Sequence, residues 1–199
     1  DTDLRGELDR LLDSARGRTI EGNDLELTLN AKAQREAMAA LRETGLPGSV
    51  VALDPRTGAV LVMASYPTFD QSDPKASFDG ADAPLLNRAT MGLYPPGSTF
   101  KVVTGAAALD RGLVEEGTMF PGPACIEAQG RPLCNFRGEE PGPHDFRYAL
   151  VHSINTTFAT IGKALGQDQL EQGMESLGFF RKPPLPYPSD QIAPSGIYT

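Results

Sequence analysis

The chain has 199 residues, of which 40% are hydrophobic and 22% charged, enough to bury an ordinary core and without the bias of disorder, collagen or a coiled coil. Its 18 Lys and Arg against 26 Asp and Glu, a formal net charge of -8, leave no basic block to neutralise a phosphate backbone, which excludes a nucleic-acid partner. No run approaches the roughly 20 apolar residues of a membrane span, and Asp1-Thr2-Asp3 lacks the basic-then-apolar layout of a signal peptide, so the sequence as given predicts a soluble body.

In chain order, Leu4, Leu8, Leu11 and Leu12 fall at helical spacing and predict a polar helix over 3–18, assigned with the rest of 1–22 to a linker or the end of a preceding domain. Leu25, Leu27 and Leu29 alternate with Glu26, Thr28 and Asn30, the period of a half-buried strand. Asn30 then caps a helix to about Thr44, stopped by Gly45. Two apolar runs, Ser49 to Asp54 and Ala59 to Ser65, flank Pro55-Arg56-Thr57-Gly58 and predict a β-hairpin in the middle of a sheet. From Tyr66 to about Arg88 the chain is polar, proline-punctuated and without period, hence surface loop.

Ser98 to Arg111 reads as a buried helix, apolar nearly all round and stopped by Gly112. A second loop region spans Glu115 to Pro143. Within it Cys125 and Cys134 flank a hairpin or tight loop, Ile126 to Leu133, as two buried thiols or as a disulfide, the latter favoured in an oxidising compartment. Asp145 caps a short helix through Val151, a further helix occupies Thr156 to Leu165 before Gly166, and Asp168 to Leu177 is the last.

Chemistry concentrates in Tyr94-Pro95-Pro96-Gly97-Ser98-Thr99-Phe100-Lys101. Serine and lysine three apart share a helix face, so the amine can take the hydroxyl proton, and a buried lysine is pushed toward the neutral form a base requires. Amide N–H groups at the helix start can hold developing negative charge. Ser72-Asp73-Pro74-Lys75 has the same spacing, but Pro74 disrupts any helix that would pair them. Ser153-Ile154-Asn155 lies at a bend between two predicted helices; Ser153 can relay a proton and Asn155 can bind a substrate amide while bonding a lysine, whereas the plain alternative is ordinary helix capping. His144 and His152 do not stand at zinc-ligand spacing from the cysteines, so no metal site is expected, and Glu139-Glu140 reads as solvated loop.

Together the S-x-x-K at Ser98 and Lys101 and the S-x-N at Ser153 and Asn155 resemble the penicillin-binding proteins and serine β-lactamases, whose third element is K-T-G. The flanks, Asn87-Arg88-Ala89 leading to Lys101 and Leu53-Asp54-Pro55-Arg56-Thr57-Gly58 through Ser65, are similar to the transpeptidase domain of class B, high-molecular-mass members over Asn23 to Arg181. No K-T-G follows, since Thr104-Gly105 is preceded by Val103 inside the first helix; residues 23–199 are therefore expected to be the N-terminal part of such a domain.

The resemblance implies an α/β fold, an antiparallel sheet flanked by helices with the Ser98 helix central. It implies acyl transfer on peptidoglycan stem peptides ending in D-Ala-D-Ala, with Ser98 as nucleophile, Lys101 as base, Ser153 as relay and Asn155 as substrate ligand. β-Lactams would acylate Ser98, no cofactor is required, and other cell-wall synthesis or division proteins are the expected partners. The implied location is the extracytoplasmic face of the bacterial plasma membrane, with an anchor elsewhere in the protein. Rival readings are a D,D-carboxypeptidase or β-lactamase-like hydrolase, or a non-catalytic β-lactam sensor or scaffold.

Overall fold

The computed structural model describes residues 25–77 and 82–197, together with Leu12 and Ala15, both helical. The remainder of the helix predicted over 3–18, and the boundary expected near residue 22, lie outside the described residues. The chain divides after Pro67 into two compact units.

The first unit is built around one helix and one hairpin. Helix α1 (Ala31–Thr44) begins where expected because the Asn30 side chain accepts from Lys32 N and Ala33 N, and it ends at Gly45, whose φ of 64° a side chain would resist. Strands β1 (Gly48–Leu53) and β2 (Val60–Tyr66) pair antiparallel from Gly48 opposite Tyr66 to Ala52 opposite Val62. Leu41, Val62 and Ala64 form the core between them, with Ala33, Ala37 and Met38 packed on it.

Here the predicted strand over 25–30 is not formed, and the sheet has two strands among the described residues. One cause lies on the edge of β2 away from β1. Gln34, one turn into α1, accepts from Met63 N at 2.9 Å and donates to Met63 O at 2.8 Å, filling the ladder position that an added strand would use. Residues 25–30 meet β2 only at its start, where Thr28 Oγ1 donates to Val60 O and Asn30 N to Leu61 O. Leu25 and Leu27 are consequently exposed.

Helices make up most of the regular structure described in the second unit. A short helix α2 (Arg88–Met91) follows Asn87, whose side chain accepts from Ala89 N. A 3-10 turn, Gly97–Phe100, runs directly into α3 (Lys101–Asp110). Strand β3 (Met119–Phe120) pairs with β6 (His144–Asp145), and between them β4 (Cys125–Ala128) and β5 (Arg131–Cys134) form a separate hairpin turning at Gln129 and Gly130, both at positive φ. Helix α4 (Phe146–Val151), capped by Asp145 on Tyr148 N, and α5 (Asn155–Ser176) complete the unit. Gly166 in α5, at φ 73° and ψ 170°, is not helical, so the two helices expected on either side of it are distinct.

Helix α3 packs on α5 through small residues. A Cβ added at Gly173 would come within 2.6 Å of Ala107 Cβ, and one at Gly105 within 3.1 Å of the Phe146 ring. Ala107, Ala108, Phe146, Ile154, Phe158 and Ile161 form the core around this crossing. Helix α3 is not buried all round as its composition suggested: Thr104, Gly105, Ala107 and Ala108 face inward while Val102 is 64% and Leu109 46% exposed. Alanine and glycine at the crossing leave one narrow inward stripe, and the larger residues fall opposite it.

Candidate active site

Two bends bring the chemistry-bearing side chains to one cleft. The first is Tyr94-Pro95-Pro96-Gly97, where Gly97 adopts φ 58° and delivers Ser98 into the 3-10 turn; Lys101 is then the first residue of α3. The second closes α4. Ser153 N donates to Leu150 O at 3.3 Å and Ile154 N to Ala149 O at 2.9 Å, a Schellman pattern in which the left-handed position is normally glycine. Here it is Ser153, at φ 56°. A non-glycine residue in that region costs about 1–2 kcal/mol, a cost tolerated where a side chain has a task. Ile154 is 4% exposed and belongs to the core, so the residues on either side of it turn toward the cleft together.

Lys101 Nζ is the centre of the arrangement. It donates to Ser153 O at 2.6 Å and to Asn155 Oδ1 at 2.6 Å, and lies 2.9 Å from Ser153 Oγ and 3.3 Å from Ser98 Oγ. The orientation of the Asn155 amide is set by its nitrogen, which donates to Cys134 O at 3.0 Å. Two of the four neighbours are therefore oxygens that only accept, and two are hydroxyls that can accept or donate. With two N–H bonds committed to the acceptors, a neutral amine directs its lone pair at the hydroxyls. Burial pushes the Lys101 amine below its usual range, which favours that neutral form. The Phe158 ring, 5.8 Å from Nζ to its centroid, supplies apolar wall.

The cleft around this group has a volume of about 380 Å³ and is lined by Ser98, Lys101, Asn155, Leu133 and Phe158, among others. A larger cavity of about 810 Å³ lies beside Tyr94, Phe100 and Phe179, but its lining offers only the Tyr94 and Ser195 hydroxyls and no base.

The remaining candidates lie elsewhere or do other work. Ser72, of the second S-x-x-K, gives its hydroxyl to Asp70 at 2.6 Å. Cys125 and Cys134 are joined in a disulfide. His144 is buried with Nδ1 2.7 Å from Gly142 O and Nε2 2.9 Å from Thr157 Oγ1, and His152 stacks on Tyr148 with ring centroids 4.0 Å apart. Sequence reasoning missed the wall residues Leu133 and Phe158, the role of Cys134 O, and buried Arg88, whose guanidinium takes the carbonyls of Ala83, Leu86 and Asp82. Only the Asn87-Arg88-Ala89 resemblance carried any signal of the last.

A profile of the penicillin binding protein transpeptidase domain matches residues 48–193. The chain is 34% identical over 194 residues to the peptidoglycan D,D-transpeptidase PbpA of Mycolicibacterium smegmatis, covering 88% of this chain and 40% of that protein. It is 32% identical over 188 residues to the peptidoglycan D,D-transpeptidase MrdA of Acinetobacter baumannii, covering 89% of this chain and 27% of that one. Among solved structures, penicillin-binding protein A from M. tuberculosis as a penicillin G acyl-enzyme complex superposes with a TM-score of 0.80 at 33% identity, over 97% of this chain and 48% of that one. The D,D-transpeptidase domain of a peptidoglycan glycosyltransferase from Eggerthella lenta gives a TM-score of 0.74 at 39% identity, over 85% of this chain and 42% of that one. The chain thus spans less than half the length of these relatives.

Proposed function

The chain belongs to the penicillin-binding protein transpeptidase family, sharing its α/β fold, and on that premise we propose that it carries the acylating machinery of a peptidoglycan D,D-transpeptidase. Ser98 is the acyl-accepting serine. Neutral Lys101 takes the Ser98 hydroxyl proton as Oγ attacks the carbonyl of the penultimate D-alanine of a stem peptide. Ser153, in contact with the same amine, passes a proton to the departing D-alanine nitrogen. An amine from a neighbouring stem then attacks the ester, loses its proton along the same path and restores Ser98. The second proton on the Asn155 amide nitrogen is available to a substrate carbonyl.

The observation that carries this reading is the position of Lys101 Nζ, within reach of both hydroxyls while its other directions are held by Ser153 O and Asn155 Oδ1. A site of this kind needs no metal or organic cofactor, because nucleophile and base are side chains. β-Lactams, whose strained amide presents the same carbonyl, are expected to acylate Ser98. We place the protein's work at the extracytoplasmic face of the plasma membrane, where its substrate lies and where the Cys125–Cys134 disulfide would persist. Among the described residues no helix is long and apolar enough to cross a membrane.

The test is mass spectrometry of the full natural protein after incubation with a labelled penicillin. An adduct on Ser98, absent from Ser98→Ala, is the expected result, and an unlabelled wild-type protein overturns the proposal. Supplying a D-Ala-D-Ala stem together with an amine acceptor separates transpeptidation, which yields a cross-linked product, from simple hydrolysis.

A further inference from the structure

Helix α5 starts at Asn155 without a cap of its own, since Ile154 in the capping position makes no side-chain bond. The missing acceptor comes from the hairpin instead. Asn135 Oδ1 accepts from Thr156 N at 3.0 Å, and Cys134 O accepts from Asn155 Nδ2 at 3.0 Å. Cys134, the last residue of β5, and Asn135, the residue after it, thus hold two consecutive residues at the start of the helix. Asn135 is 6% exposed and is itself held, its nitrogen donating to Pro123 O and Glu139 O at 3.0 Å each, while Thr156 Oγ1 donates to the same Pro123 O at 3.1 Å.

The residue whose carbonyl orients Asn155 is also the one covalently tied to the opposite strand: Cys134 pairs with Cys125 across the ladder and is bonded to it through sulfur. A two-stranded ribbon is marginally stable without support, so the cystine fixes the frame that carries both acceptors. We propose that Asn135 and the Cys125–Cys134 disulfide are positioning residues for acylation, acting through Asn155 to hold the Lys101 amine toward Ser98. Without that frame the Asn155 amide can turn, presenting its nitrogen to Lys101 Nζ in place of Oδ1, and the amine loses one of the two acceptors that aim it. The inference rests on the reading of Ser98 as the acylated serine.

The experiment measures the second-order rate constant for acylation of the full natural protein by a fluorescent penicillin, oxidised and after dithiothreitol. Reduction transfers two electrons and two protons from the dithiol, giving two cysteine thiols and the cyclic disulfide of the reagent; thiol titration confirms it. Reduction, Cys125→Ser with Cys134→Ser, and Asn135→Ala should each slow acylation by about tenfold to 100-fold, the loss typical of a small misplacement of reacting groups. Reoxidation should restore the wild-type rate. A merely structural role predicts the same loss in any background, whereas action through Asn155 predicts that in Asn155→Ala the same changes cost less than about threefold. Thermal melts identify any variant that fails to fold, and reduction of the wild-type protein then decides. Label on Ser98 at equal rates in oxidised and reduced protein overturns the positioning role alone. An oxidised protein that takes no label overturns the acyl-enzyme reading, and this inference with it.

Discussion

Asn155 Oδ1 accepts a 2.6 Å hydrogen bond from Lys101 Nζ, while the nitrogen of the same amide donates to Cys134 O. One side chain is thereby fixed at both ends, and the amine it touches has its remaining direction left for hydroxyls. In the proposed reaction, the proton chemistry of Ser98 depends on that amine being able to lose its own proton.

Lys101→Arg is accordingly expected to be as inactive as Lys101→Ala. A guanidinium keeps its charge and cannot serve as base at any working pH, and loss of a general base costs about 10²- to 10⁴-fold. The acylation rate of both variants with a fluorescent penicillin checks this, and appreciable activity in the arginine variant would remove Lys101 from the role of base.

The pH profile should show the same group. Because burial lowers the Lys101 pKa from its usual 10.5, acylation should rise with pH and level off below pH 10.5. Stability follows with a definite sign. The unfolded chain keeps its proton up to 10.5 while the folded one has already released it, so between the lowered folded value and 10.5 the unfolded state binds more protons and stability rises with pH. Denaturant melts of wild type against Lys101→Met across that window measure this contribution.

Ser153→Gly and Ser153→Ala separate backbone from hydroxyl. Both remove the Oγ that contacts Lys101, and each should slow acylation by about 10²-fold or more. Only glycine relieves the left-handed backbone at φ 56°, so the glycine variant should be more stable than the alanine variant by about 1 kcal/mol. Equal stability of the two in urea melts would show that the bend carries no strain.

At the helix crossing, Gly173→Ala should destabilise even though alanine is the better helix former. The added Cβ would stand 2.6 Å from Ala107 Cβ, and both atoms are attached directly to backbone, so the helices must separate. Overpacking of this kind costs about 1–3 kcal/mol, read as a lower urea midpoint.

What the sequence made legible was local. Asn30, Gly45, Asp145 and Gly166 mark helix ends through bonds and dihedral angles that involve neighbours within four residues, and all four act as expected. The spacing of Ser98 and Lys101 was equally visible because it lies within one turn. The strand expected over 25–30 depended instead on an edge whose ladder position at Met63 Gln34 already fills, a competition no period of leucines reports. The exposure of Val102 and Leu109 was hidden by composition, since a helix rich in alanine and valine shows little contrast between faces. Cys134 O and Asn135 lie 21 residues from the helix they hold, and such a bond leaves no pattern along the chain.

Gly166 has a geometric meaning for the molecule beyond ending a helix. In an unbroken helix every residue advances by about 100°, so the azimuth of Asn155 toward Lys101 would be locked to the azimuth of Gly173 toward Ala107. A residue at φ 73° and ψ 170°, in a region open essentially to glycine alone, resets that angular count. The azimuth of Asn155 toward Lys101 and that of Gly173 toward Ala107 are thus set by two separately phased segments of α5, although both segments pack on α3.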